Sequence, residues 1–475
     1  MLKFPKGFFD EEEREGFVVS AEMKHVWAAQ FEMIKIYEEV CRKYGLKYFA
    51  AYGTLLGAVR HQGFIPWDDD VDIMMLRDDY NRFLEVCQTD MPGDFSVLNA
   101  FTEPEWDELV SRVVNGRGLD VSGRRLLAFH GSPYAIGVDI FAMDYVPSDK
   151  KTKQWVDSLL DMIYKLIPIS WLNDEEKEKV CSNKDVLTTL QNGLKVLEDT
   201  FDFQFYLDGN LRNQMYCMAD AVASGYGNPN KDKILTRFPG YVKFDANYRF
   251  LSFWFDETVT MKFESSTIEA PKGYDAVLYN SIGEDYMVPR NQKASHDYPF
   301  FKGQRKVLED EGFADAVDKM RELTKTLSID SNLEPDIDDG KMDIPTAWEK
   351  DSKDSNGEKK RVVLYGLNSA ALLNYEKKVL DRLDNEISLY ETNHTDTLLI
   401  LVEDTVYEES LHIILPSQEK RYHLLKEKLL KLGGIISDSL DYKYYEFCDE
   451  YRGDCTSAVY KFVDYNKKVH FEKYE

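Results

Sequence analysis

The chain has no Cys-x-x-Cys pair: its six cysteines, Cys41, Cys87, Cys181, Cys217, Cys448 and Cys455, are scattered over 475 residues. That spacing suits reduced thiols in a cytosolic protein better than a disulfide framework or a zinc site. Positive charge is scarce as well. Against 85 Asp and Glu stand 59 Lys and Arg, a net charge of −26, which argues against sequence-blind binding to nucleic acid or anionic membrane. Long hydrophobic runs are missing too. The longest aliphatic stretch, Leu398–Val402, is far too short for a bilayer span, and residues 1–20 carry no apolar signal core. No Walker A loop, His-Glu-x-x-His helix or Gly-x-Ser-x-Gly elbow occurs. The expectation is a cytoplasmic protein without a direct membrane span.

What is present points to a folded chain. The 43% hydrophobic and 13% aromatic content exceeds what a disordered, highly charged sequence carries, and the length suits two or three domains. Ser20 can cap a helix that runs to Tyr44 and stops at Gly45. Lys47–Tyr52 reads as a strand, Thr54–Arg60 as a brief helix and Val71–Leu76 as a strand. Asp78–Cys87 follows as an amphipathic helix, and Leu109–Val114 and Gly137–Met143 as strands. Residues 150–223 are mainly helical in pattern. Residues 330–360, with ten acidic and five basic residues, two prolines and two glycines, read as a linker. Beyond it, strands at Arg361–Tyr365 and Thr397–Val402 alternate with helices at Ala370–Ile387 and Gln418–Leu432. The expected domains are therefore 1–329, a linker 330–360 and a small unit 361–475.

The strongest chemical signal is Trp67-Asp68-Asp69-Asp70-Val71-Asp72-Ile73-Met74. In a strand alternate side chains share a face, so Asp70 and Asp72 project together about 7 Å apart, and Asp68 joins that face if the strand begins early. Carboxylates placed together repel, by roughly 1–4 kcal/mol at about 4 Å, and a divalent cation turns that repulsion into binding. Mg²⁺ suits the pattern, with Mn²⁺ as an alternative, because it takes hard oxygen ligands and commonly bridges carboxylates to substrate phosphates. Upstream, Gly53 and Thr54 stand where a strand turns into a helix, a place where backbone N–H groups attract phosphate. Asp139, an acid inside the apolar strand Gly137–Met143, needs a metal or cation partner if it is buried.

These residues also carry a family resemblance. Gly53-Thr54-Leu55-Leu56-Gly57-Ala58-Val59-Arg60-His61, followed by Gly63-Phe64-Ile65-Pro66-Trp67-Asp68-Asp69-Asp70-Val71-Asp72, resembles the LicD phosphotransferase and fukutin-type signature. Gly137-Val138-Asp139-Ile140-Phe141-Ala142-Met143-Asp144 resembles the family's second motif. Pro271-Lys272-Gly273-Tyr274-Asp275, with Gly283-Glu284-Asp285-Tyr286-Met287-Val288-Pro289, resembles its closing one. The resemblance implies an α+β class: a nucleotidyltransferase-like mixed sheet flanked by helices, plus a small C-terminal α/β domain. It further implies Mg²⁺-dependent transfer of phosphocholine or a polyol phosphate from a CDP-linked alcohol donor. The acceptor would be a glycan or lipid-linked glycan on the cytoplasmic face of the membrane. In this mapping Asp70 and Asp72 are metal ligands, and Asp139 is a third ligand or the base. Gly53, Thr54, Arg60 and Arg112 line the donor phosphates, with Arg117 a weaker candidate, and His61 and Tyr286 are candidate substrate contacts.

Cys448 to Ser457 faintly resembles the donor-binding half of CDP-glycerol glycerophosphotransferases, through Gly453, Asp454 and Ser457. The basic stretch such enzymes carry earlier is replaced by Leu401-Val402-Glu403-Asp404, so a degenerate accessory domain is expected. Three other readings use the same residues. One is a nucleotidyltransferase that moves NMP onto a small molecule or protein. A second is an Mn²⁺ glycosyltransferase, disfavoured by the Gly53–Thr54 turn. A third is an inactive glycan-binding scaffold, disfavoured by the presence of all three acids.

Overall fold

A computed structural model describes residues 1–92, 95–227, 234–243, 248–290, 298–327, 346–437, 447–471 and 473–474. The chain packs as two compact units. The first takes Met1–Thr54, Phe64–Phe253 and Lys293–Leu333; the second takes Leu55–Gly63, Trp254–Gln292 and Glu334–Glu475. Besides the C-terminal stretch, the second unit thus holds one segment from early in the sequence and one from its middle. Among the described residues no helix is long and apolar enough to cross a membrane.

The first unit opens with a hairpin, β1 (Glu12–Arg14) and β2 (Phe17–Val19), followed by α1 (Ala21–Tyr44). The Ser20 side chain accepts the Met23 N–H at 3.2 Å, and Gly45 ends the helix at φ 66°, both as expected. The buried face of α1 packs Trp27 flat on Phe64, with ring centroids 4.5 Å apart.

The central sheet has the order β3-β4-β7-β6-β5: Phe49–Ala50, Asp72–Leu76, Gly137–Tyr145, Ser111–Val114 and Ser96–Leu98. The β4–β7 pair is parallel and the other pairs along this path are antiparallel, so the sheet is mixed. Two short strands, β8 (Leu235–Arg237) and β9 (Phe250–Leu251), extend it from β7. Helices flank the sheet, which is the expected α+β arrangement.

Two elements differ from expectation near β3. The strand is only Phe49–Ala50, and α2 spans Tyr52–His61, two residues earlier than its pattern suggested. Ala51 gives its N–H to the Asp72 carbonyl at 2.9 Å, and Tyr52 then turns at φ 40°, so the chain leaves the sheet before Gly53. Below the sheet, α3 (Arg77–Asp90) begins with a buried ion pair. Arg77 donates two bonds of 2.6 Å to Asp144 and one of 2.9 Å to Asp220. The helical stretch after residue 150 resolves into four helices around Leu160, Ile163, Leu190, Leu197 and Met215.

The second unit contains a hairpin, β10 (Thr258–Phe263) and β11 (Ser266–Pro271), and a five-stranded parallel sheet. Its strands are β12 (Arg361–Leu367), β13 (Thr397–Glu403), β14 (Ile435–Ser437), β15 (Glu450–Gly453) and β16 (Lys468–Phe471), ordered β14-β13-β12-β15-β16. The near-continuous apolar runs of β12 and β13 fit strands buried on both faces. The helix expected over Ala370–Ile387 is broken at Glu376 (φ 50°) into Ser369–Tyr375 and Lys377–Asn393. Of the expected linker, residues 330–345 lie outside the described residues. Its remainder holds a short helix, Thr346–Asp351, and a bridge between Lys353 and Lys359.

Candidate active site

Strand register assembles the charged row of the first unit. Asp72 of β4 lies opposite Asp139 of β7, and Asp139 lies opposite Arg112 of β6. Three residues far apart in sequence thus share one line across the sheet. The Arg112 guanidinium grips both oxygens of Asp139, through Nε to Oδ1 and through Nη2 to Oδ2 at 2.8 Å. Glu108 lies 3.4 Å from the same Nη2, and the guanidinium stands over the Trp106 ring at 5.1 Å. The cation partner that Asp139 needs is therefore supplied by Arg112.

The loop before β4 brings further carboxylates. Oxygens of Asp68, Asp69 and Asp70 all lie within 4.8 Å of one another. Asp69 is the buried member: its Oδ2 accepts the Phe300 N–H at 2.6 Å and its carbonyl accepts the Gln30 side chain at 2.7 Å. The first turn of α2 closes the arrangement. Thr54 Oγ1 accepts the Asp72 N–H at 2.9 Å, and a Cβ on Gly53 would meet Asp68 Oδ2 at 2.4 Å. Only glycine lets the Asp68 carboxylate lie this close to the helix start.

The electrostatics follow from this crowding. Burial, then the charges of Asp70, Asp139 and Asp68, hold the Asp72 carboxyl well above the usual range, with Arg112 opposing. Burial, then Asp70 and Asp69, raises Asp68 in the same way. The donor set is all carboxylate oxygen, and one guanidinium does not balance it. Such a set fits a hard divalent cation.

Residues 45–165 match the family described as LicD/FKTN/FKRP, nucleotidyltransferase domain. That segment is similar to a LicD-type nucleotidyltransferase domain. Over 122 residues the chain is 32% identical to the lipopolysaccharide cholinephosphotransferase LicD of Haemophilus influenzae, covering 25% of this chain and 43% of that protein. Uncharacterised proteins of Rickettsia typhi and Rickettsia prowazekii are 45% and 49% identical over 56 and 49 residues. Those matches cover 12% and 10% of this chain, and 18% of each relative. The chain thus spans less than half the length of the curated relatives it matches. No solved structure matches it with significance.

Of the residues singled out in sequence, the LicD-type domain gathers Gly53, Thr54, Asp70, Asp72, Arg112 and Asp139 within the first unit. Asp70 is a correction in detail. The strand begins at Asp72, so Asp70 belongs to the preceding loop and the two carboxylates do not share a strand face. Three successive acids cannot alternate in a strand without burying one, and the loop resolves this by using Asp69 as a hydrogen-bonded strut. Arg117 is exposed and paired with Glu103, a surface arginine.

Arg60, His61 and Tyr286 fall in the second unit. Arg60 is buried, donates Nε to His61 Nε2 at 2.8 Å and donates Nη1 to the Tyr286 carbonyl at 3.1 Å. Tyr286 is itself buried, with its hydroxyl donated to Asp275, so it holds that segment of chain together. The faint donor-site motif is also committed internally. Asp454 accepts from the Asn368 N–H at 3.1 Å and the Tyr474 hydroxyl at 2.6 Å, while Ser457 donates to Asp275.

Asp68, which the sequence places in line only with an early strand, stands in the loop as a full member of the carboxylate group. One feature escaped the sequence reading. An aromatic group stands beside Asp72: the Tyr52 hydroxyl bonds that of Tyr248 at 3.2 Å, and Tyr241 stacks on Tyr248 at 4.9 Å. Phe141 meets Tyr52 edge-on at 4.8 Å. Burial first, then the Asp72 charge, pushes the Tyr241 hydroxyl upward. Phe141, two residues after Asp139 in the same strand, was the one available sequence signal.

Proposed function

We propose that the chain transfers a phospho-alcohol, phosphocholine or a polyol phosphate, from a CDP-linked donor to a hydroxyl of a cell-surface glycan. The acceptor class is a lipopolysaccharide or teichoic-acid precursor, and the enzyme would meet it at the cytoplasmic face of the membrane. The observation that carries this reading is the Asp72–Asp139–Arg112 row, with Asp68 and Asp70 beside the Gly53–Thr54 turn, inside a LicD-type domain. The aromatic group beside Asp72 supports a cationic alcohol, since a quaternary ammonium is attracted to ring faces.

In this reading Asp70 and Asp72, with Asp68 or Asp139, would hold Mg²⁺. The ion would neutralise the donor diphosphate and favour CMP as leaving group. The acceptor oxygen attacks the phosphorus that bears the alcohol, the bond from that phosphorus to the CMP oxygen breaks, and the hydroxyl proton passes to a carboxylate. Arg112 fixes the orientation of Asp139 on both oxygens, which suits an aimed base. The Thr54 hydroxyl, bonded to the Asp72 N–H, fixes the start of α2 beside that strand, where helix N–H groups favour a phosphate.

The test is a panel of CDP-choline, CDP-ribitol, CDP-glycerol and UDP-sugars with Mg²⁺ and a glycan acceptor, scored by nucleotide release and thermal shift. CMP release from one CDP-alcohol is expected. Asp70→Asn and Asp72→Asn should each lower it at least 100-fold with folding intact. Turnover of UDP-sugars alone would replace this reading with a glycosyltransferase, and near-full turnover by either variant would remove the metal assignment.

A further inference from the structure

In the second unit, the sequence of strands changes direction between β12 and β15, which lie side by side and parallel. Open α/β sheets bind ligands at such a switch point, in the crevice beyond the carboxyl ends of the strands. Here residues 254–290, which belong to the same unit, supply hydrogen-bond partners to the segments that follow β12, β13 and β15. After β12, Asn374 donates to Asn280 Oδ1 at 2.9 Å, and the Tyr375 hydroxyl donates to Glu284. After β13, the Thr405 hydroxyl donates to the Lys272 carbonyl at 2.5 Å, and the Trp254 indole N–H donates to Ser410 Oγ at 3.0 Å. After β15, Ser457 gives its backbone N–H to Asp275 Oδ1 at 2.7 Å and its hydroxyl to Oδ2 at 3.1 Å.

We propose that this unit is a nucleotide-type fold liganded by its own chain. The Asp275 carboxylate takes the Ser457 donors that an anionic ligand would otherwise use. The unit's task is then to clamp residues 271–289 rather than to bind a nucleotide. The clamp reaches further: Tyr286, whose hydroxyl bonds Asp275, accepts Arg60 Nη1 on its carbonyl. Asp275 and Ser457 are accordingly positioning residues for the Arg60 guanidinium. Both lie at or near zero exposure, as does Trp254, so these contacts are shielded from solvent.

Hydrogen–deuterium exchange on the full chain tests this without reference to the reaction proposed above. Asp275→Ala should raise exchange at least fivefold in 271–289 and in 55–63, while strands β4 and β7 keep their protection. Asp275→Asn should retain most of the protection, because its oxygen can take the Ser457 N–H and its amide can face the Ser457 hydroxyl. If Asp275→Ala does not fold, Ser457→Ala, which keeps the backbone donor, should raise exchange in the same two segments about twofold. Unchanged exchange in those segments overturns the clamp. Millimolar CDP or CMP added to the unaltered protein should leave 366–370 and 453–458 unaffected; protection there would overturn the internal-ligand assignment.

Discussion

Gly53→Ala probes the site with a single methyl group. The new Cβ would stand 2.4 Å from Asp68 Oδ2, whereas ordinary contact begins at 3.4 Å, so the carboxylate must retreat by about 1 Å. The obstacle is the far end of a side chain, so folding tolerates the change. An off-rotamer Asp68 costs about 1 kcal/mol, and Ala in place of Gly in a helix returns a similar amount. Stability should stay within roughly 1 kcal/mol of the unaltered chain. Catalysis should not be spared, because a misplacement of about 1 Å in reacting geometry costs on the order of 100-fold. The assay pairs initial rates of CMP release from the active donor with thermal unfolding of the same preparation. A cycle with Asp68→Ala isolates the cause: once Asp68 is gone, the methyl should do little further harm, so the two effects are strongly non-additive. A Gly53→Ala enzyme within threefold of full turnover, or additive losses in the cycle, would refute the claim that Asp68 works pressed against the start of α2.

Two other perturbations read the fold. Arg77→Met strands the buried Asp144 and the partly buried Asp220 without their shared guanidinium, and should cost about 3–5 kcal/mol in urea unfolding; a loss below about 1 kcal/mol would show the pair to be dispensable. In the second unit, burial outweighs the Ser369 and Val406 donors and pushes Asp404 up to about 6. Its folded value lies above the ordinary unfolded value of about 3.9, so the native state holds the proton more tightly and stability falls as pH rises between the two, by about 3 kcal/mol in all. Asp404→Asn mimics the protonated form at every pH. The Tm difference, variant minus parent, should therefore climb from pH 4 to 6 and flatten above 7; a flat or falling difference would contradict the sign.

Local chemistry wrote some of this plainly into the sequence. Ser20 and Gly45 bound α1 because capping is decided within a few residues, and β12 and β13 announce themselves because buried parallel strands are apolar on both faces. The pairing of Arg112 with Asp139 was not legible, since a register over 27 residues depends on which strand lies beside which. For the same reason Ser457 looked like half of a donor site: its partner, Asp275, stands 182 residues away. The closeness of Asp68 to the start of α2 is not legible either, since α2 leaves the sheet through a turn at Tyr52, where an aromatic residue sits in a conformation that favours glycine. The length of the α2 pattern gave no hint of that turn.

The row of Asp72, Asp139 and Arg112 has a consequence for how the protein can fail. One position along each strand, Ile73 and Ile140 pair in the same ladder, both fully buried. A slip of β4 by one residue would set Asp72 against Ile140, turn every side chain of the strand over and drive a carboxylate into the core. Alignment of the acids and burial of the isoleucines are thus one condition met or missed together. Misaligned chains would be poorly stable and prone to clearance, so the population that survives would have its carboxylates in line. The core proofreads the site.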